Sequence, residues 1–350
     1  DFAFNINWEL DVWGRVRSAQ AAALADADSA ADSYKDAQFS LAAQVAKGWF
    51  STAEAYLQYQ LALETEKSFR DTANLTEGRY RRGLVSAADV HLTRASAASA
   101  SANVQATEQT FNANVRALET LVGRYPANEL DFLTDLPLLP APIPTGVPSS
   151  ILMRRPDLRA AERNIAAALQ RTESARADFF PRIALTASGG TTSDKLRDLI
   201  DPKHIVWNTL LNLTAPILDG GRRAATLELR KAQIAEAAAE FQRAALDAFA
   251  EVENFLDAES LLATREKSAR EAADQSQKAF RRTEDEYARG LTDITAVLQA
   301  QRDFLTNRRE FLTVKRSRLT NRVDLHLALG GDFLDFDSAR IATPPSEAPR

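Results

Sequence analysis

The chain has no cysteine and a single methionine. Without cysteine there is no disulfide, no thiol nucleophile and no thiolate-held metal in these 350 residues. Histidine is scarce too. His91, His204 and His326 lie far apart, with no carboxylate at ligand spacing, so no metal site is expected. No apolar run approaches the roughly 20 residues of a membrane-spanning helix. The net charge of −5 leaves no basic bulk to attract nucleic acid. Walker-type loops, G-x-G-x-x-G and G-x-S-x-G are all missing, so neither an enzyme nor a cofactor is expected. Proline is absent from residues 15 to 81, where glycine occurs only at 48 and 78. That absence permits one helix of about 65 residues, on the order of 100 Å at ~1.5 Å per residue.

What is present repeats itself. Tyr80-Arg81-Arg82-Gly83-Leu84 returns as Tyr287-Ala288-Arg289-Gly290-Leu291, 207 positions later. The same offset pairs Gly14 with Gly221, Val45 with Val252, Val90 with Val297, Leu118 with Leu325 and Gly123 with Gly330. A period this long is a duplicated half-protein, not a solenoid repeat. Each copy mixes strand with two long helices.

The first half opens on period-two alternation over residues 1–13. Phe2, Phe4, Ile6, Trp8, Leu10 and Val12 fall on one face; Ala3, Asn5, Asn7, Glu9, Asp11 and Trp13 fall on the other. Gly14 ends this strand. A helix follows to about residue 81, with Leu41, Val45 and Trp49 on one seam and Phe39, Phe50, Leu57 and Leu61 on another. Two seams imply neighbours on two sides, as in a ring of helices, and the alanines between them permit close approach. Gly83 breaks the helix. Ser86, with Asp89 three positions on, caps the next, which runs to about 122.

Prolines 126, 137, 140, 142, 144 and 148 make residues 126–149 an extended, stiff linker. The second half, 150–331, is opened by Ser149-Ser150. It predicts a helix from Pro156 to about 177, then a strand with Ile183, Leu185 and Ala187 on one face. A polar loop covers 189–203. A further strand spans 205–217, setting Ile205, Trp207, Leu211 and Leu213 against Asn208, Asn212 and Thr214. Long helices follow from 222 to 289 and from the Gly290 turn to about 329, and 332–350 reads as a disordered tail. Mapping the second half back by the offset predicts a further helix and strand ahead of Asp1, so the chain reads as truncated at its N-terminus.

A one-sided apolar sheet must be covered by protein or by lipid. Strands of this length, alternating and flanked by Phe2, Trp13, Phe179, Phe180 and Trp207, suit an outer-membrane barrel. Three strands are too few for one, so several chains would share it. If protein covers the sheet instead, Asn5, Asn7, Glu9 and Asp11 are an ordinary solvated face, and a soluble coiled-coil scaffold is the reading.

Several motifs, spread over residues 8–331, resemble the outer membrane factor family, the TolC- and OprM-like channels, and most closely its NodT-type efflux branch. They are Trp8-Glu9-Leu10-Asp11-Val12-Trp13-Gly14-Arg15, Leu152-Met153-Arg154-Arg155-Pro156-Asp157 with Ala161-Glu162, Phe179-Phe180-Pro181, Ala215-Pro216-Ile217 with Gly220-Gly221-Arg222, and Tyr-x-x-Gly-Leu in both halves. The resemblance implies a mainly α fold with a membrane β part: a homotrimer whose long antiparallel helices form an α-helical barrel below a shared twelve-stranded β-barrel. It implies a passive outer-membrane conduit for small molecules that extends into the periplasm and works with a periplasmic adaptor and an inner-membrane pump of RND, ABC or MFS type. A type I protein-secretion channel is the alternative within this fold. The branch often carries a lipid-modified N-terminal cysteine.

The resemblance also assigns sites. Asn5, Asn7, Glu9, Asp11, Asn208 and Asn212 would line the barrel lumen. The turns holding Gly83 and Gly290 would form the periplasmic tip, with Tyr80, Tyr287, Asp89, Thr292 and Asp293 around them. Similar channels hold the tip shut with a tyrosine–aspartate link, which maps to Tyr287 and Asp89. Read without the resemblance, Tyr80 and Tyr287 are packing residues at helix ends and Asp89 a first-turn carboxylate on a helix dipole. Pore-ringing aspartates of some members fall here on Ala296 and Gln299, and a nearby arginine on Thr292, so an aspartate constriction in that register is not expected.

Overall fold

Glycine in the left-handed region marks the ends of the long helices. Gly83 and Gly290 have φ of 71° and 80°, and Gly123 and Gly330 have 75° and 70°. A side chain there would clash with the backbone, so the helices stop where the sequence places glycine. The structure, a computed structural model, describes residues 2–132, 134–139, 154–191 and 205–331. Pro140, Pro142, Pro144, Pro148, Ser149-Ser150, Leu152-Met153, most of the polar loop, His204 and the tail 332–350 lie outside the described residues, as does Asp1.

The elements run β1 (Phe2–Leu10), α1 (Arg15–Arg81), α2 (Ala87–Leu121), α3 (Pro156–Ala177), β2 (Arg182–Thr191), β3 (Ile205–Thr214), α4 (Arg222–Ala288) and α5 (Ile294–Ala328). The long helices are 67 residues each, α1 and α4, and the shorter pair 35 each, α2 and α5. Each boundary of α4 and α5 falls 207 positions after its counterpart. The caps repeat as well. Ser86 accepts a hydrogen bond from Asp89 N–H, and Asp293, its counterpart, accepts one from Ala296 N–H at 2.9 Å. Asp89 returns the first bond through Ser86 N–H at 3.0 Å, completing a capping box. No helix among the described residues is long and apolar enough to cross a membrane.

By contact the chain divides into two units. The first holds Asp1–Asp36 and Met153–Asp247. Its sheet has the order β1-β2-β3 and is antiparallel throughout. Both outer strands are shorter than the alternation predicts. β1 stops at Leu10 because Asp11 turns away, its carboxylate accepting the N–H groups of Val16 and Arg17 at 2.9 and 2.8 Å. Asp11 thereby satisfies free donors in the first turn of α1. Asp219 does the same for Gly221 and Arg223 ahead of α4, and β3 ends at Thr214. α3 docks on the start of α1 through Ser29, Asp32 and Asp26, which meet Ala160, Arg159 and Arg171.

The second unit holds Ala37–Leu152 and Ala248–Arg350. The α1 seams are only partly buried: Leu61 is covered, whereas Leu41 is 48% exposed. Alanine and threonine fill most of the buried positions of this helix, including Ala43, Ala53, Ala62, Thr52, Thr72 and Thr76. The described part of the proline-rich linker is docked on helices of this unit, not free. Leu136 packs with Ala53 and Leu319, and Lys315 Nζ donates to its carbonyl at 2.5 Å. Phe132 meets Tyr56 and Phe111 at ring-centroid distances of 5.4 and 5.3 Å. Glu119, at the end of α2, is 3% exposed and accepts from three successive N–H groups, Asn128, Glu129 and Leu130.

Candidate functional site

The sheet presents two chemically different faces. Residues opposite one another across a strand pair share a face. Asn5, Ser188 and Asn208 form one such row, and Glu9, Ala184 and Asn212 another. Asn7 pairs with Thr186, but the third member of that row is Leu210. Four of the six residues assigned to a lumen therefore sit in two shared rows, and Asn7 lies on the same face. Asp11 lies past the strand. The opposite face carries Phe4, Gly189 and Trp207 in one row, Trp8, Leu185 and Leu211 in another, and Leu10, Ile183 and Leu213 in a third. Trp207, Leu211 and Leu213 are 77%, 67% and 70% exposed.

Charges collect at the helix end of this sheet. Arg15 takes both carboxylate oxygens of Glu9, at 2.9 and 2.6 Å. Arg182 pairs with Asp178 at 2.5 Å and Arg223 with Asp219 at 2.7 Å. Two aromatics lock the same end. Trp13 stacks on Phe180 at 4.9 Å, and its indole N–H donates to Pro181 O at 2.8 Å. Spacing alone does not pair Arg15 with Glu9, although both lie in the motif Trp8–Arg15.

In the second unit the two helix turns meet at a cleft of about 760 Å³. Arg79, Ser86, Asp89, Tyr287, Thr292 and Asp293 line it, with Gly290. Five of the seven residues assigned to the tip are thus brought together; Tyr80 and Gly83 are not among its walls. Tyr287 is 2% exposed, whereas Tyr80 is 46% exposed. The Tyr287 hydroxyl lies 2.9 Å from Thr76 Oγ1. Arg79 covers the ring at 4.7 Å and donates to the Tyr287 carbonyl. The Asp89 carboxylate is engaged in its capping box. Within the chain, then, Tyr287 bonds to α1 and not to Asp89. Thr76 and Arg79 were not legible as site residues, though Thr76 has a threonine counterpart, Thr283, at the repeat offset.

Two carboxylates near the C-terminal ends of α1 and α4, neither of them in the cleft wall, are shifted in opposite directions. Hydrogen bonds from Arg94 and Arg81, at 2.9 and 2.8 Å, hold Glu77 below the usual carboxylate range. Burial, with repulsion from Asp285 and Asp71, pushes Glu284 above it. No group of His, Asp and Glu among the described residues is arranged to hold a metal ion.

A sequence model of the outer membrane efflux protein family matches residues 1–124 and 147–331. The outer membrane protein OprJ of Pseudomonas aeruginosa is 33% identical over 93% of this chain and 68% of its own length. The toluene efflux pump outer membrane protein TtgF of Pseudomonas putida is 32% identical over 97% of this chain and 70% of its own length. Among solved structures, the open state of the MtrE outer membrane channel of Neisseria gonorrhoeae superposes with a TM-score of 0.82. It is 30% identical and covers 94% of this chain and 76% of that one.

Proposed function

We propose a function from one premise: the chain belongs to the outer membrane efflux protein family. It is an outer membrane channel of an efflux system, a conduit and not an enzyme, located in the outer membrane and reaching into the periplasm. The observation that carries this reading is the two-faced sheet. An exposed face of Trp8, Trp207, Leu211 and Leu213 backs onto rows of Asn5, Asn208, Glu9 and Asn212. Apolar-out, polar-in alternation suits a barrel wall between lipid and water.

The finer reading is a homotrimer whose strands share one twelve-stranded barrel, with Asn5, Asn7, Glu9, Asn208 and Asn212 toward the lumen. The halves 1–125 and 150–331 are two structural repeats joined by the linker 126–149. An adaptor and an inner-membrane pump of RND, ABC or MFS type complete the export path, and the cleft between the Gly83 and Gly290 turns is the periplasmic gate. Small apolar molecules are the proposed cargo, supported by the toluene efflux named for one relative.

Reconstitution tests the conduit. The chain, with whatever precedes it in the natural protein, should extract only with detergent, run as a trimer and conduct ions across a planar bilayer. Recovery as a water-soluble monomer from intact cells would overturn the reading.

A further inference from the structure

A cavity of about 350 Å³ lies at the helix end of the sheet, within the first unit. Asp178, Arg182, Thr214, Pro216, Arg222 and Arg223 line it. Arg182 and Thr214 stand opposite one another across β2 and β3. Each lies two residues from the row of Glu9, Ala184 and Asn212, so both extend the polar face of the sheet. The cavity is therefore on the side away from Trp207 and Leu211.

Three guanidiniums meet there with donors to spare. Arg182 gives Nη2 to Asp178 at 2.5 Å. Arg223 gives Nε to Asp219 at 2.7 Å and Nη2 to Pro216 O at 2.9 Å. Its Nη1 is buried and has no partner among the described residues. A buried donor left without an acceptor is costly, and a charged one more so. Arg222 is exposed and meets no carboxylate among the described residues. Asp178 and Asp219 balance two of the three cations, which leaves one positive charge. The described strands carry one carboxylate on their polar face, Glu9, and Arg15 holds both its oxygens. Asp219 already accepts the N–H groups of Gly221 and Arg223 at the start of α4, so the site rests on side chains and not on the helix end.

We propose that this cavity binds an oxyanion group, a carboxylate, sulfonate or phosphate carried by a solute in the lumen, so that the conduit takes organic anions as well as apolar cargo. This rests on the channel reading above. The planar fork of an arginine matches two oxygens of such a group at once. The occupant is a solute and not a lipid headgroup because the cavity shares its side of the sheet with Glu9 and Asn212, and lipid would cover the other side. One site per chain gives a trimer a positive collar where strands meet helices. A collar of one sign in a narrow passage raises the local concentration of the opposite ion.

Inorganic phosphate is the probe. The natural full-length protein is placed in planar bilayers of phosphatidylcholine, and phosphate replaces chloride at constant ionic strength, which holds screening fixed. Conductance should fall saturably. Arg222→Gln should raise the half-effective phosphate concentration about tenfold, the scale of one charge-assisted hydrogen bond. Arg222→Lys, which keeps the charge, should recover most of that loss. Thr226, also in the cavity wall, gives a second variant. The carboxylate of Thr226→Glu should occupy the site and abolish the phosphate response with every arginine in place. Heat-resistant trimer in each variant separates loss of binding from loss of fold. An unchanged phosphate response in Arg222→Gln overturns the site. Loss of the response when phosphatidylglycerol is added to the bilayer would show a lipid headgroup in the cavity and overturn the lumenal occupant. Calorimetry in detergent reads binding without conduction. Protein that never conducts, yet binds phosphate through Arg222, sinks the channel reading and leaves the oxyanion site standing.

Discussion

The hydroxyl of Tyr287 lies 2.9 Å from Thr76 Oγ1, joining the C-terminal ends of α4 and α1. Thr76 already donates its only hydroxyl proton to Thr72 O at 2.9 Å, so the phenol is the donor between the two. Tyr287→Phe removes that donor and leaves no unmatched proton. A bond of this kind contributes about 1 kcal/mol net, or roughly fivefold in an open-to-closed ratio. If the cleft is a gate, leak conductance in a planar bilayer should rise by about that factor in Tyr287→Phe. Asp89→Ala, which breaks the capping box beside it, should add a further increase. Unchanged conductance in the double variant would reject the gate.

Glu119 should make the α2–linker junction sensitive to acid. Burial works against its charge, but hydrogen bonds from the backbone N–H groups of Asn128, Glu129 and Leu130 outweigh it, and the carboxyl is held below its ordinary value of 4.5. A depressed pKa in the folded state stabilises above the unfolded value and is lost as pH falls through the folded one. The protection factors for hydrogen exchange at residues 128–130, each taken relative to the intrinsic rate at its pH, should therefore be high at neutral pH and fall as the pH drops below the ordinary carboxylate range. Glu119→Gln, which keeps one acceptor and loses the charge, should show low protection factors at both. Protection in that variant equal to the natural chain would show that the carboxylate is not what holds the segment.

The sequence carried the helices almost to the residue, because glycine at 14, 83, 123, 221, 290 and 330 punctuates them and the repeat reads each boundary twice. Strand ends were less legible. Asp11 continues the alternation in type, and only its capture by the N–H groups of Val16 and Arg17 takes it out of the strand. Alternation alone placed Asn5 and Asn208 on polar faces, but their shared row with Ser188 depends on strand register, which no single strand encodes. Arg79 was invisible as a neighbour of Tyr287 because the contact crosses 208 positions, and the counterpart of Arg79 is Glu286, so the duplication gave no hint of it.

The two faces of β3 should respond oppositely to charge. Leu211 lies on the apolar face beside Leu185, and Asn212, the next residue, lies on the polar face beside Ala184. An arginine on a lipid-facing barrel position costs about 2–4 kcal/mol near the bilayer midplane. Leu211→Arg should reduce heat-resistant trimer in the outer membrane, and Asn212→Arg should leave its amount unchanged while altering ion selectivity. Equal tolerance of both substitutions would mean that lipid does not cover the Leu211 face.

The paired turn glycines allow strain to be separated from contact. Gly83 and Gly290 both sit at positive φ, so alanine at either costs about 1–2 kcal/mol of backbone energy. Their surroundings differ. A Cβ at Gly83 would meet nothing within 4 Å, whereas one at Gly290 would lie 3.4 Å from Arg79 Nη2. That guanidinium lies over the Tyr287 ring and donates to the Tyr287 carbonyl, so the added methyl would touch a group that holds Tyr287. Backbone strain alone predicts the same thermal destabilisation from Gly83→Ala and Gly290→Ala. A gate built on the Arg79–Tyr287 contact predicts that only Gly290→Ala raises leak conductance beyond what its loss of stability explains. Equal leak from both variants would assign the effect to the turns themselves and remove Arg79 from the gate.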